Sequence, residues 1–168
     1  MAIIIEDGTG KSTSESYISM VDATEYFTAR GNTTWAAIAT DALREAALRK
    51  ATEYMVNTFR DRWQGWRKTE DQALCWPRYD VMVEGYLVDD DSVPTIIARA
   101  CAELAIRAAV GDLSADLTQG VLSEQVGVIS VQYDRASPQK TRYASVDTML
   151  KPFLKPGSSG VSVGLVRT

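Results

Sequence analysis

The residues Gly8-Thr9-Gly10-Lys11-Ser12-Thr13 invite a chemical reading first, because glycine-rich loops ending in Lys-Ser or Lys-Thr wrap backbone N–H groups around phosphate. The spacing does not fit. GxxxxGK[ST] needs a glycine where this chain has Ile5, and Glu6 and Asp7 bring negative charge to the place of the phosphate. The residues after Thr13 continue as an extended or turn segment rather than as a helix that would cap an anion. The expected structure is a β-turn in which Gly8 and Gly10 supply backbone freedom.

Other candidate chemistry is thin. The chain has no histidine, which removes the Ser-His-Asp and Cys-His nucleophile systems and the usual zinc sets. Cys75 and Cys101 lie far apart and fit no metal or redox spacing, so both are expected to be small buried hydrophobes. Asp89-Asp90-Asp91 lacks calcium-loop spacing and reads as negative charge ahead of a helix beginning at Val93, with Pro94 in its first turn. No catalytic, cofactor-binding or metal-binding residue is assigned, and an enzyme is not expected.

One segment mixes cations with aromatic rings. Arg60, Arg62, Arg67 and Lys68 interleave with Trp63 and Trp66, and such a pattern can stack single-stranded DNA bases on rings while cations meet phosphates. The opposing reading is that the tryptophans pack and the arginines solvate a helix end. A net charge of -4 favours the latter, since gripping phosphates needs a basic excess.

The elements that position these residues follow from periodicity. From Thr40 to Trp66, apolar residues at Leu48, Ala51, Met55, Phe59 and Trp63 step by three and four along one helix face, with Thr40 as N-cap and Gly65 as the stop. A second helix spans Val93 to Leu113, its stripe formed by Ile97, Ala100, Cys101, Leu104, Ala105 and Ala108, with Gly111 at its end. Glu45–Arg49 and Glu103–Arg107 are i,i+4 pairs on faces expected to be solvated. Shorter helices are expected from Ser19 to Gly31, around Trp35 to Ala39, from Thr69 to Leu74 and from Ser145 to Leu154. Trp76-Pro77 makes a rigid corner, followed by a connector with a turn at Glu84-Gly85.

At 168 residues the chain fits one domain. The expected fold is mainly α, a small bundle on two long helices, spanning residues 1–154 with a β-hairpin near 121–134. Ile129, Val131 and Tyr133 alternate with Val128, Ser130 and Gln132, which supports the hairpin; it is too small to stand alone, so Val126, Val128, Ile129, Val131 and Tyr133 are its candidate partner contacts. Residues 155–168 form a C-terminal arm in which Val161, Val163 and Leu165 alternate like a strand; a disordered tail is the other reading. No membrane span or signal peptide is expected, which points to a cytoplasm-like compartment.

The order of these pieces resembles a family of tailed-phage proteins related to head-to-tail adaptors, which includes proteins labelled DnaT-like single-stranded-DNA-binding. The residues that carry the likeness begin with Glu6-Asp7-Gly8-Thr9-Gly10, Tyr17, Ser19, Ala23 to Gly31 and Trp35. They continue with Tyr54, Trp63, Gly65, Arg67, the corner Ala73 to Arg78, Val93-Pro94, Ala100, Glu103 and Leu104. Last come Gly120, Glu124, Val126-Gly127, Tyr133, Tyr143, Val146-Asp147, Leu150 and Pro152. The resemblance covers about residues 3–154.

It implies a structural virion protein, assembled in the host cytoplasm as a dodecameric homo-oligomeric ring beneath the portal. Such a ring extends the DNA channel at the neck of the virion and binds a stopper or tail-completion protein on its far face. DNA would pass through the lumen without specific binding. The alternative implied by the label is a replication accessory that binds single-stranded DNA.

Overall fold

The structure, a computed structural model, describes residues 2–114, 123–126, 129–132 and 142–157, the two short middle ranges by their backbone. It is mainly α-helical. The helices are α1 (Met20–Thr28), α2 (Thr33–Ala36), α3 (Asp41–Phe59), α4 (Thr95–Val110) and α5 (Ala144–Leu150). Among the described residues three antiparallel strand pairs accompany them: β1 (Trp66–Arg67) with β2 (Arg78–Tyr79), β3 (Met82–Val83) with β4 (Tyr86–Leu87), and β5 (Ser123–Val126) with β6 (Ile129–Gln132).

The pair α3 and α4 forms the centre, as periodicity predicts. Thr40 Oγ1 accepts the Leu43 N–H at 3.3 Å to start α3, and Asp41 in the first turn pairs with Arg44 at 2.7 Å. Leu48, Ala51, Met55 and Phe59 are buried against Ile97, Ala100, Cys101 and Leu104. Alanines in both stripes let the helices approach closely. One polar group enters this interface satisfied: Thr52 Oγ1 donates to the Leu48 carbonyl at 2.9 Å and lies 3.2 Å from Cys101 Sγ. The two cysteines are buried and free, and burial pushes both thiols up from their ordinary range.

Helix α3 stops six residues earlier than Gly65. After Phe59 the chain passes through a 3₁₀ turn, Arg60–Arg62, and Trp63 is extended. Tertiary hydrogen bonds decide this end: the Gln64 N–H bonds the Phe153 carbonyl at 3.0 Å, and the Lys155 N–H bonds the Arg62 carbonyl at 2.8 Å. Gly65 serves a different purpose, since at φ +60° it brings the backbone so near β2 that a Cβ would overlap the Tyr79 carbonyl. Edge-on rings then run from Trp63 to Trp76 at 5.7 Å and from Trp76 to Phe153 at 5.6 Å, joining three distant segments.

The helix expected from Thr69 to Leu74 is absent. Gln72 Oε1 does accept the Thr69 N–H at 2.9 Å, half of a capping box, but Thr69 Oγ1 donates to the Gly10 carbonyl at 3.2 Å. The Gln72 amide donates to the Leu74 and Pro77 carbonyls at 2.9 and 3.1 Å, so the segment winds around a buried glutamine instead. The expected last helix divides likewise into α5 and a 3₁₀ turn, Lys151–Phe153, with Pro152 at the junction.

The two i,i+4 pairs form, but neither face is merely solvated. Arg49 also meets Glu15 of the N-terminal loop at 3.0 and 3.1 Å. Glu103 accepts from Tyr26 OH at 3.1 Å, and Arg107 reaches Ser145 at 3.1 Å, tying α1 and α5 to α4. No helix among the described residues is long and apolar enough to cross a membrane.

Candidate functional site

The glycine-rich loop does gather N–H groups around an anion, and the anion is its own. Glu6 is buried, and its carboxylate accepts from the N–H groups of Gly8 (3.0 Å), Gly10 (2.9 Å) and Lys11 (2.9 Å) and from Ser14 Oγ (2.8 Å). The place where a phosphate would sit is filled by a side chain, which closes the nucleotide reading of this loop. Gly8, at φ +100°, packs so tightly that a Cβ would overlap the Asp91 carbonyl.

Of the basic and aromatic residues between Arg60 and Arg78, the structure uses most as framework. Trp63 has no exposed surface and cannot stack on a base. Arg62 lies over the Phe59 ring at 4.9 Å. Arg67 donates to the Glu70 carbonyl at 3.2 Å and to that of Gln72. Lys68 pairs with the Asp91 carboxylate and donates to the carbonyls of Gly8 and Asp90 at 3.3 and 3.1 Å. The hydrogen bond to Asp91 holds the Lys68 ammonium above its ordinary range. Arg78 is buried, donating to the carbonyls of Gln64 and Gly65, each at 2.7 Å, and of Cys75 at 3.1 Å. Burial pulls its guanidinium below the ordinary range.

The acidic run is woven into the same region. Asp89, Asp90 and Asp91 are exposed with carboxylate oxygens within 4.8 Å of one another, the Asp91 N–H bonds Asp89 Oδ1 at 3.0 Å, and Lys68 spans the run. This is a braced turn ahead of α4.

Beside this framework the fold leaves large apolar side chains exposed. Trp66 is 66% exposed and stands opposite Tyr79 in the β1–β2 register, so both rings share one face. Arg60 borders them, and all three line an open depression of about 410 Å³. Tyr79 also lines a neighbouring depression of about 320 Å³ with Leu87, which is 68% exposed and pairs with Met82 across β3–β4. Trp66, Tyr79, Leu87 and Met82 therefore form one strip over two strand pairs. Its acidic rim is Asp80, Asp89 and Asp90.

Sequence reasoning reached Trp66 but missed Tyr79, Met82 and Leu87. The available signal was Met82-Val83 and Tyr86-Leu87 around Glu84-Gly85, two β-favouring pairs flanking a two-residue turn. Glu84 and Gly85 both take positive φ, 53° and 87°, the geometry that closes a tight hairpin. The partner-contact residues proposed from the later hairpin divide between two cases. Val126, Ile129 and Val131 lie on β5 and β6, whose backbone register pairs Val126 with Ile129 and Glu124 with Val131. Val128, Tyr133, Val161, Val163 and Leu165 lie outside the described residues.

The family model described as "Putative DnaT-like ssDNA binding protein" matches residues 1–168. The chain belongs to this family. The match extends past the 3–154 span of the sequence resemblance and takes in the last residues as well. No curated protein and no solved structure matches the chain. Within this DnaT-like member, the residues that carry the resemblance are chiefly framework: the Glu6 loop, buried Tyr17, the Trp63–Trp76 contact and the carbonyl-capping Arg78.

Proposed function

We propose that this protein is a structural component of a tailed-phage virion, a head-to-tail adaptor that forms a ring under the portal and links the capsid to the neck. The observation that carries the reading is the strip Trp66, Tyr79, Leu87 and Met82, a run of large apolar side chains left in solvent by a fold that buries its other tryptophans. Exposed contiguous apolar surface marks a protein-binding face. Of the cations beside it, Arg67, Lys68 and Arg78 are committed to carbonyls and to Asp91, which leaves Arg60 as the one bordering cation not so committed and little to grip phosphate. A net charge of -4 fits a conduit through which DNA slides. The adaptor works by binding subunit, portal and neck partner together, and carries out no chemistry.

The test is the mass of the protein alone and after mixing with its phage's portal, by light scattering and negative-stain imaging. A ring in either sample supports the adaptor; a monomer that ignores the portal overturns it.

A second reading, a single-stranded-DNA-binding replication accessory, draws on the family's description and on the Trp66–Tyr79 pair beside Arg60. It predicts oligonucleotide binding that weakens with salt and falls in Trp66→Ala. Binding unaffected by that change would remove it.

A further inference from the structure

We infer that the strip Trp66–Tyr79–Leu87–Met82 receives residues 158–168 of a neighbouring copy of this chain. This rests on the ring reading and names the contact between its subunits. Three observations converge. First, the segment that leads into residues 158–168 is anchored near the strand pairs of the strip: Leu154 bridges Trp63, the Gln64 amide donates to the Pro152 and Leu154 carbonyls at 2.9 and 3.1 Å, and β3 contacts the Lys151–Phe153 turn. An extended chain over 158–168 spans about 35 Å at roughly 3.3 Å per residue, enough to cross onto an adjacent subunit.

Second, Val161, Val163 and Leu165 alternate, so a strand would place all three on one face, matching a strip that is itself built on strand pairs with open edges. Third, the charges complement one another. Asp80, Asp89 and Asp90 rim the strip, while residues 158–168 carry Arg167 and no acidic residue. A head-to-tail ring needs two different surfaces on each subunit, and the strip and this segment supply them.

The experiment uses two full-length variants. Leu87→Glu disables the strip; Val161→Ser/Val163→Ser/Leu165→Ser disables the segment. Each alone is expected to stay monomeric under conditions where the parent chain assembles. Mixed, each supplies the surface the other lacks, and light scattering should find a species of twice the 18.4 kDa chain mass that grows no further. If the parent assembles and the mixture yields no such pair, the inference fails while the ring stands.

If the parent never assembles, with or without portal, the ring reading fails. The inference is then decided by a synthetic peptide of residues 155–168 titrated onto the segment variant. Trp66 is the exposed one of four tryptophans, so its emission reports binding. Binding weakened about tenfold or more by Leu87→Glu upholds the contact. An unchanged emission overturns it.

Discussion

Removing the Glu6 carboxylate should destabilise the fold by leaving donors of the N-terminal loop buried without an acceptor. The side chain accepts four hydrogen bonds, two from the buried Gly8 and Ser14 and two from the part-exposed Gly10 and Lys11. In Glu6→Ala, water can replace the acceptor at Gly10 and Lys11. The Gly8 N–H and Ser14 hydroxyl are left buried without a partner, at about 1–3 kcal/mol each. The expected loss is therefore about 4 kcal/mol.

Glu6→Gln keeps the size and one acceptor oxygen, which can still serve Gly8 and Gly10. Its NH₂ would then face the Lys11 N–H, where donor meets donor, while Ser14 Oγ can turn to accept, so one bond fails, for about 1–3 kcal/mol. Urea unfolding followed by tryptophan fluorescence measures both. With an m-value near about 2 kcal/mol/M, the midpoint should fall by about 2 M for Ala and about 1 M for Gln. A Glu6→Ala midpoint within about 0.25 M of the parent would refute the idea that this carboxylate organises the loop.

Arg78→Met should cost about 2–4 kcal/mol in the same assay, because the carbonyls of Gln64, Gly65 and Cys75 lose their donor inside the fold. Trp63→Ala should cost about 3–5 kcal/mol, and Trp66→Ala less than about 0.5 kcal/mol, a contrast read from paired denaturation curves. Stability should also fall in acid through Glu15. The bond from Arg49, with a second from the Ile4 N–H, holds its pKa below the ordinary 4.5, so its contribution is full above that value and is lost as pH falls through the lower folded value. The unfolding midpoint followed from pH 7 to pH 3 should flatten in Glu15→Gln.

The sequence by itself determined the helical framework. The three-and-four spacing from Leu48 to Phe59 and from Ile97 to Ala108 fixes which faces are buried, since a regular helix leaves one stripe to exclude water. The caps at Ser19 and Thr40 were legible for the same reason: they are local bonds, made within three residues. Tertiary structure decided the end of α3, because Gln64 and Lys155 find partners about 90 residues away along the chain, beyond any local signal. It also set Trp66 outside, whereas Trp63 already lay on the apolar stripe read from the sequence. Trp63 packs on Trp76 where its backbone bridges Leu154, while the pairing of β1 with β2 holds Trp66 in solvent opposite Tyr79, and both partners lie beyond the reach of any local signal.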